Sequence, residues 1–236
     1  MNKPSSSLVL ASLVALSLLA LQASAWAAPP SPASPTTNDL VFQAGQVVSL
    51  PAPDTKGGKP LMAALAARLS TREYRPDPLT LQTLSDLLWA ANGINRPAEG
   101  KTTAATARNW QNQQIFVALA RGLFRYDPKR HALVPVSPKD LRAQTGRQPF
   151  VAVVPVNLIY VADPPPTADN IADPVRQATY EGIHAGIVSQ NVALFVASAG
   201  LATVVRANFD ASLLEPLLGL LPGQRVVLTQ SVGYAK

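Results

Sequence analysis

Cysteine is absent from the 236 residues, and histidine occurs only at positions 131 and 184. Without thiols the chain holds no disulfide, thiolate zinc site or iron–sulfur cluster. A histidine-rich metal centre is equally out of reach. Charged residues make up only 14% of the sequence and aromatics 6%. Several of the 14 carboxylates stand beside prolines or at expected helix caps, among them Asp77, Asp127, Asp163, Asp173 and Asp210. Aspartate at such positions forms turns and caps. His184 lies between apolar residues of a helical pattern and reads as a structural, partner-satisfied histidine. There is no G-x-S-x-G elbow, H-E-x-x-H pair, phosphate-loop lysine motif or glycine-rich Rossmann turn. Hydrolysis by side-chain acids and bases is therefore poorly supported. Lys and Arg outnumber Asp and Glu by 20 to 14, a net charge of +6. They form no run and interleave with no aromatics, so the excess suits small anions or an anionic surface rather than nucleic acid.

What is present begins with an export pattern. Lys3 precedes an apolar stretch from Leu8 to Leu21, followed by the small-x-small sites Ala23-Ser24-Ala25 and Ala25-Trp26-Ala27. The apolar run is shorter than the roughly 20 residues of a spanning helix. Residues 1–27 read as a secretory signal. The mature chain is expected in a bacterial periplasm, without membrane attachment after cleavage. Ala28 to Thr37 contains four prolines, and residues 28–49 read as a flexible or extended lead-in. Residues 50–236 suffice for one well-cored domain.

Within that domain, Pro60–Leu69 and Thr80–Ala91 carry helical patterns, the second with a Leu81, Leu84, Leu87, Leu88, Ala91 stripe and the Asn92-Gly93 stop. Ile115–Ala120 and Leu123–Tyr126 form an expected hairpin across Arg121-Gly122. Ser137–Thr145 reads as a short helix and Val153–Val161 as a strand. Pro174–Ala199 is the longest helical pattern, apolar on much of its circumference and therefore buried on several sides or in a subunit interface. Leu201–Val205 and Arg225–Gly233 are expected strands flanking a short helix that Asp210 caps. The class is α+β.

The stretch with most chemistry is Arg68-Leu69-Ser70-Thr71-Arg72-Glu73-Tyr74. If the preceding helix continues, the two arginines stand at i and i+4 on one side. Two guanidiniums and a hydroxyl suit a phosphate monoester or delocalised anion. A basic helix end beside exposed carbonyls accounts for the same residues. Three other stretches are rich in small, amide or basic residues: Asn92–Pro97, Thr102–Gln111 and Ala199–Arg206. An anion-binding chain with few titratable groups fits a cofactor that carries the chemistry.

In order and spacing these pieces resemble the FMN-dependent nitroreductase family, in particular its branch of thiazole/oxazoline-oxidase-like dehydrogenases. The resemblance runs from about Leu50 to Tyr234. It rests on Lys56-Gly57-Gly58-Lys59-Pro60-Leu61, the Arg68–Tyr74 stretch, Leu87–Arg96, Ala107-Arg108-Asn109-Trp110-Gln111, Ser189-Gln190-Asn191, Gly200–Arg206 and Val232-Gly233-Tyr234. It implies a central, mainly antiparallel sheet packed by helices, in an interlocked homodimer with two FMN sites at the interface. By the same resemblance Arg68, Leu69 and Ser70 hold the phosphate and ribityl chain, and Arg72 approaches the N1/O2 edge. Asn109 serves the pyrimidine edge, and Gln111 is a further cofactor-binding position. The Val205-Arg206-Ala207 backbone faces N5 and O4, which makes Arg72, Arg206 and Ala207 the residues nearest the reaction. Relatives carry a longer basic tail, so Lys236 is this chain's candidate phosphate ligand. The implied activity is ping-pong transfer to a nitroaromatic, quinone or similar small acceptor. The donor stays open, because pyridine nucleotides are scarce outside the cytoplasm. A non-catalytic periplasmic flavin-binding protein is the alternative.

Overall fold

The computed structural model describes residues 34–165, 171 and 173–236. The expected export signal, residues 1–27, lies outside them, as do residues 28–33 of the lead-in. Seven strands form one sheet: β1 (Val48–Ser49), β4 (Gln113–Leu119), β5 (Gly122–Asp127), β6 (Ala132–Ser137), β7 (Val156–Ala162), β8 (Ala202–Arg206) and β9 (Arg225–Gly233). Their order is β1-β6-β5-β4-β7-β9-β8, and the pairings are antiparallel. A separate small hairpin joins β2 (Ile94–Arg96) to β3 (Lys101–Thr102). The helices are α1 (Leu61–Ala67), α2 (Leu81–Asn92), α3 (Pro174–Ala199) and α4 (Ala211–Leu218). The protein is thus α+β with a mainly antiparallel central sheet, as the sequence implies.

β7 lies inside the sheet between β4 and β9, and all seven of its residues are buried. Alternate side chains serve opposite faces. Leu158 and Tyr160, with Ile115, Val117 and Leu119 of β4, pack beneath α2 and α3. Ile159 and Val161, with Phe116 and Ala118, pack against Leu214 and Leu218 of α4. Helix α2 starts where the Thr80 hydroxyl accepts from the Thr83 N–H. It buries its stripe completely at Leu84, Leu87, Leu88 and Ala91. Helix α3 starts on the Asp173 cap and ends at Gly200, whose φ of 70° suits a left-handed terminus.

Two expectations change. Residues 34–49 are not a free lead-in. The Thr37 N–H donates to Leu79 O, Val48 pairs with Leu133, and the Phe42 ring packs on Phe124. Residues 137–145 are not a helix: Ser137 ends β6 opposite Leu123, and only Arg142–Thr145 makes a short 3-10 turn. β6 itself carries Pro135, which a central strand excludes. Pro135 is tolerated because β1 pairs only with Ala132 and Leu133, leaving the proline on an uncovered edge.

Candidate functional site

Helix α1 stops at Ala67, before the arginines. Arg68 still donates its N–H to Ala64 O, but its ψ of 120° has left the helix. Arg68 to Arg72 therefore do not stand on adjacent helical turns. The chain turns extended and lies along the edge strand β8, where the Thr71 N–H donates to Thr203 O at 2.9 Å. In an extended segment residues two apart share a side, so Arg68, Ser70 and Arg72 still have a geometric route to one face. All three are exposed, as is Leu69. Among the described residues, neither Arg68 nor Arg72 pairs with a carboxylate.

The C-terminus is stitched to the same segment. Tyr74 bridges Ala235, the Arg75 N–H donates to Tyr234 O, and the Lys236 N–H donates to Glu73 O at 3.3 Å. Lys236 thus ends beside the Arg68–Arg72 stretch. The Tyr74 hydroxyl donates to Thr71 O at 2.6 Å and holds the turn. Burial pushes the Tyr74 phenol well above its ordinary range, against the opposing effects of Arg206 and Arg72. The phenol is therefore a neutral donor.

Val205 and Ala207 are exposed on β8 and just past its end, but the Arg206 side chain points inward and only 5% of the residue is exposed. Its guanidinium donates to Thr145 O at 2.8 Å and to Asn157 Oδ1 at 2.9 Å. The side chain is an interior group held by Thr145 and Asn157, so only the Arg206 backbone is available to a ligand.

Asn109 and Gln111 occupy an unusual loop. Arg108, Asn109 and Gln111 have φ values of 45°, 57° and 49°. Non-glycine residues rarely adopt this region, and clusters of such strain mark functional sites when the surroundings enforce them. The enforcing group is His184 of α3. Its Nε2 accepts the Ala107 N–H at 2.8 Å, so its proton is on Nδ1, which donates to Asn112 Oδ1 at 2.8 Å. Trp110 packs edge-on to His184 and Tyr180. The Thr106 hydroxyl accepts from the Gln111 N–H, and the Gln111 amide reaches Gly100 O and Asn109 Oδ1. His184 is the structural histidine that its helix position suggests, but what it supports is the candidate loop.

This clasp requires neutral His184. Desolvation lowers its pKa, more than the nearby Glu181 raises it, and Glu181 is itself paired with Arg225. The unfolded chain therefore takes up the proton first. The stabilisation is complete above an unfolded pKa of about 6.5 and is lost as pH falls toward the folded value. Amide exchange at residues 107–111, corrected for intrinsic rates, is expected to quicken between pH 7.5 and 5. In His184→Gln, whose amide oxygen accepts at every pH, that acceleration should vanish. Equal acceleration in both proteins would remove His184 from the clasp. Global melting is a poorer readout, because burial also lowers the His131 pKa.

Residues 65–234, well over half of the chain, match the model of the Nitroreductase family. The chain belongs to the nitroreductase family. It is 32% identical over 183 residues to a protein of Methanocaldococcus jannaschii that is provisionally named a nitroreductase, covering 73% of this chain and 91% of that one. A provisionally assigned nitroreductase crystal structure from Ralstonia eutropha JMP134 superposes with a TM-score of 0.76 at 37% identity, covering 86% of this chain and 94% of that one. The NADPH:FMN oxidoreductase of Vibrio harveyi, solved with NAD+, shares the fold at a TM-score of 0.56 and 19% identity, covering 75% of this chain and 69% of that one.

In this nitroreductase-family chain the candidate residues fall into two groups that do not meet. Arg68–Arg72, Lys236 and Val205–Ala207 gather at the β8 edge. Asn109 and Gln111 lead into Gln113, which pairs with Ala162 at the far end of β7. The Thr203 position aligns through Val232 with Val156 at the near end. Six residues along the strands is about 20 Å, and three strand spacings add about 14 Å across the sheet. Within one chain these residues do not form a single pocket. The sequence reading also missed the supports, namely the His184–Asn112 clasp, the Tyr74 brace and the Thr145–Asn157 cradle. Their partners lie tens of residues apart, and the one available signal was a polar residue inside an apolar run.

Proposed function

We propose that this protein is an FMN-dependent oxidoreductase of the exported class, acting as a homodimer. The observation that carries the reading is the exposed, extended Arg68-Leu69-Ser70-Thr71-Arg72 stretch, beside Lys236 and without carboxylate partners. Guanidinium forks, a hydroxyl and an ammonium are the donor set a phosphate monoester requires. The residues present therefore fit FMN. Arg68, Leu69, Ser70 and Lys236 would hold the phosphate and ribityl chain, Arg72 the N1/O2 edge, and the Val205–Ala207 backbone the ring edge opposite. When bound, FMN supplies two-electron chemistry that no side chain of this sequence offers.

The protein's own part is binding, orientation and charge. Arg72 places a permanent cation where negative charge develops on reduction. One open site serves donor and acceptor in turn, the arrangement of a ping-pong reaction. A nitroaromatic, a quinone or an azoline of the thiazole/oxazoline-oxidase branch is the acceptor or substrate class in view. The donor is not read from any motif here. The periplasm as workplace rests on the signal pattern of residues 1–27 alone.

Two features favour a dimer. Leu61, Met62 and Leu65 leave an exposed apolar face on α1, and such faces mark association surfaces. The separation of Asn109 from Arg68 within one chain supplies the second: a second copy can bring the missing half of each site. The first test is the absorption spectrum of the purified protein and of its FMN titration. Flavin bands that bleach with a donor and return with a quinone are expected. A colourless protein that never quenches FMN fluorescence sinks the reading, and bound FMN that no acceptor reoxidises favours the storage protein instead.

A further inference from the structure

Arg206 is a buried cation without a counter-ion. Its guanidinium donates to the Thr145 carbonyl and to Asn157 Oδ1, with the Thr145 hydroxyl at 3.4 Å. These partners are all neutral, and its Nε has no partner at all. Among the described residues no carboxylate forms an ion pair with it. The group facing it is the neutral Tyr74 phenol, and burial lowers the arginine pKa to about 10, still far above neutrality. The cavity is shaped for it: a Cβ at Gly146 would lie 2.0 Å from Nη1. The Phe150 ring closes another side, 5.9 Å from the guanidinium carbon.

A neutral side chain of similar size could tie β8 to the Arg142–Thr145 turn without desolvating a charge. Burying an unpaired cation is costly, and apolar replacements of buried charges are often neutral or stabilising. The charge therefore needs a use. Its place supplies one: Val205 and Ala207 flank it on the exposed side of the strand, and Arg206 sits behind the same backbone. With no counter-ion and little water to screen it, its field reaches across one strand thickness.

We propose that the Arg206 guanidinium is a fixed interior cation that biases FMN bound over residues 205–207 toward its reduced form. This rests on the FMN reading above. The side chain has a positioning role, since the guanidinium itself touches neither cofactor nor substrate. Taking up two electrons and one proton adds one negative charge to the flavin ring. A cation behind the strand stabilises that charge more than it stabilises the neutral oxidised ring.

The experiment measures FMN dissociation constants for the oxidised cofactor and, anaerobically, for cofactor reduced by dithionite, which supplies both electrons while solvent supplies the proton. Four proteins are compared: wild type, Arg206→Gln, Arg206→Lys and Asn157→Asp. The last keeps Arg206 in place and puts a carboxylate 2.9 Å from it, cancelling the field if Arg206→Gln fails to fold. In Asn157→Asp and Arg206→Gln the oxidised-to-reduced ratio of constants should fall about tenfold, a lowering of the two-electron potential by about 30 mV. Arg206→Lys, which keeps the charge and loses the fork, should stay within about threefold of wild type, about 15 mV. A merely structural arginine predicts the reverse order, with Arg206→Lys impaired and Asn157→Asp silent, and that result overturns the proposal. Wild-type protein that binds no FMN overturns the FMN reading and this inference together. Bound FMN with an unchanged ratio in Asn157→Asp and Arg206→Gln overturns this inference alone.

Discussion

Replacing Arg68 with alanine is expected to weaken FMN binding about a hundredfold, since charge-assisted hydrogen bonds contribute about 1.5–3 kcal/mol each and every 1.4 kcal/mol is tenfold. Riboflavin, which lacks the phosphate, should bind wild type and Arg68→Ala equally. The FMN-over-riboflavin preference would therefore collapse. Arg72→Ala should behave differently, weakening both ligands, because its expected contact is with the ring. Neither change should move folding stability by more than about 0.5 kcal/mol, since both side chains are exposed and, among the described residues, neither pairs with a carboxylate. That makes the pair a clean test, in which lost affinity cannot be attributed to a lost fold. Isothermal titration at two salt concentrations gives the readout, and the Arg68 contribution should shrink in high salt. An Arg68→Ala protein that still prefers FMN to riboflavin by the wild-type factor would move the phosphate site elsewhere.

Much of the architecture was legible because local signals and burial agreed. The α2 stripe, the Asp173 and Gly200 limits of α3 and the hairpin at Arg121-Gly122 all stand where the sequence places them. Gly122 has a φ of 133° and no room for a Cβ, which would lie 2.6 Å from Ser137 O. What misled was competition between levels. Pro135 stands in a strand because tertiary pairing holds it at an uncovered edge. Ser137 and Pro138 looked like a helix start, yet β5 claims Ser137 for the ladder. The arginine pair suggested helical spacing, but edge pairing with Thr203 draws that segment out. The left-handed backbone at Arg108, Asn109 and Gln111 had no glycine to announce it. It is imposed by His184, 77 positions away from Ala107. Arg206 is the sharpest case, because nothing in its local sequence marks the side chain as interior. Only the fold shows Gly146 making room for it.

Mixing two defective proteins should restore flavin binding. If each site takes Arg68 from one chain and Asn109 from its partner, Arg68→Ala and Asn109→Gly homodimers each carry two damaged sites. Glycine at 109 removes the amide while keeping the left-handed backbone, whose φ is 57°. A mixed dimer concentrates both defects in one site and leaves the other wholly wild type, because a two-fold interface exchanges the same residues in both directions. Random reassortment makes about half the dimers mixed, so about a quarter of all sites should recover full affinity. Site counting by flavin fluorescence quenching reads this directly, after subunits are exchanged under mild denaturant and refolded together. A Met62→Glu/Leu65→Glu protein supplies the companion result. Charges on the apolar face of α1 should leave a monomer in which Arg68, Ser70 and Arg72 are intact and FMN affinity is nonetheless lost. Recovery without mixing, or full affinity in that monomer, would mean that one chain closes the distance between its β8 edge and its Asn109 loop. The extended geometry of the sheet argues against it, since about 20 Å of strand separates the two ends.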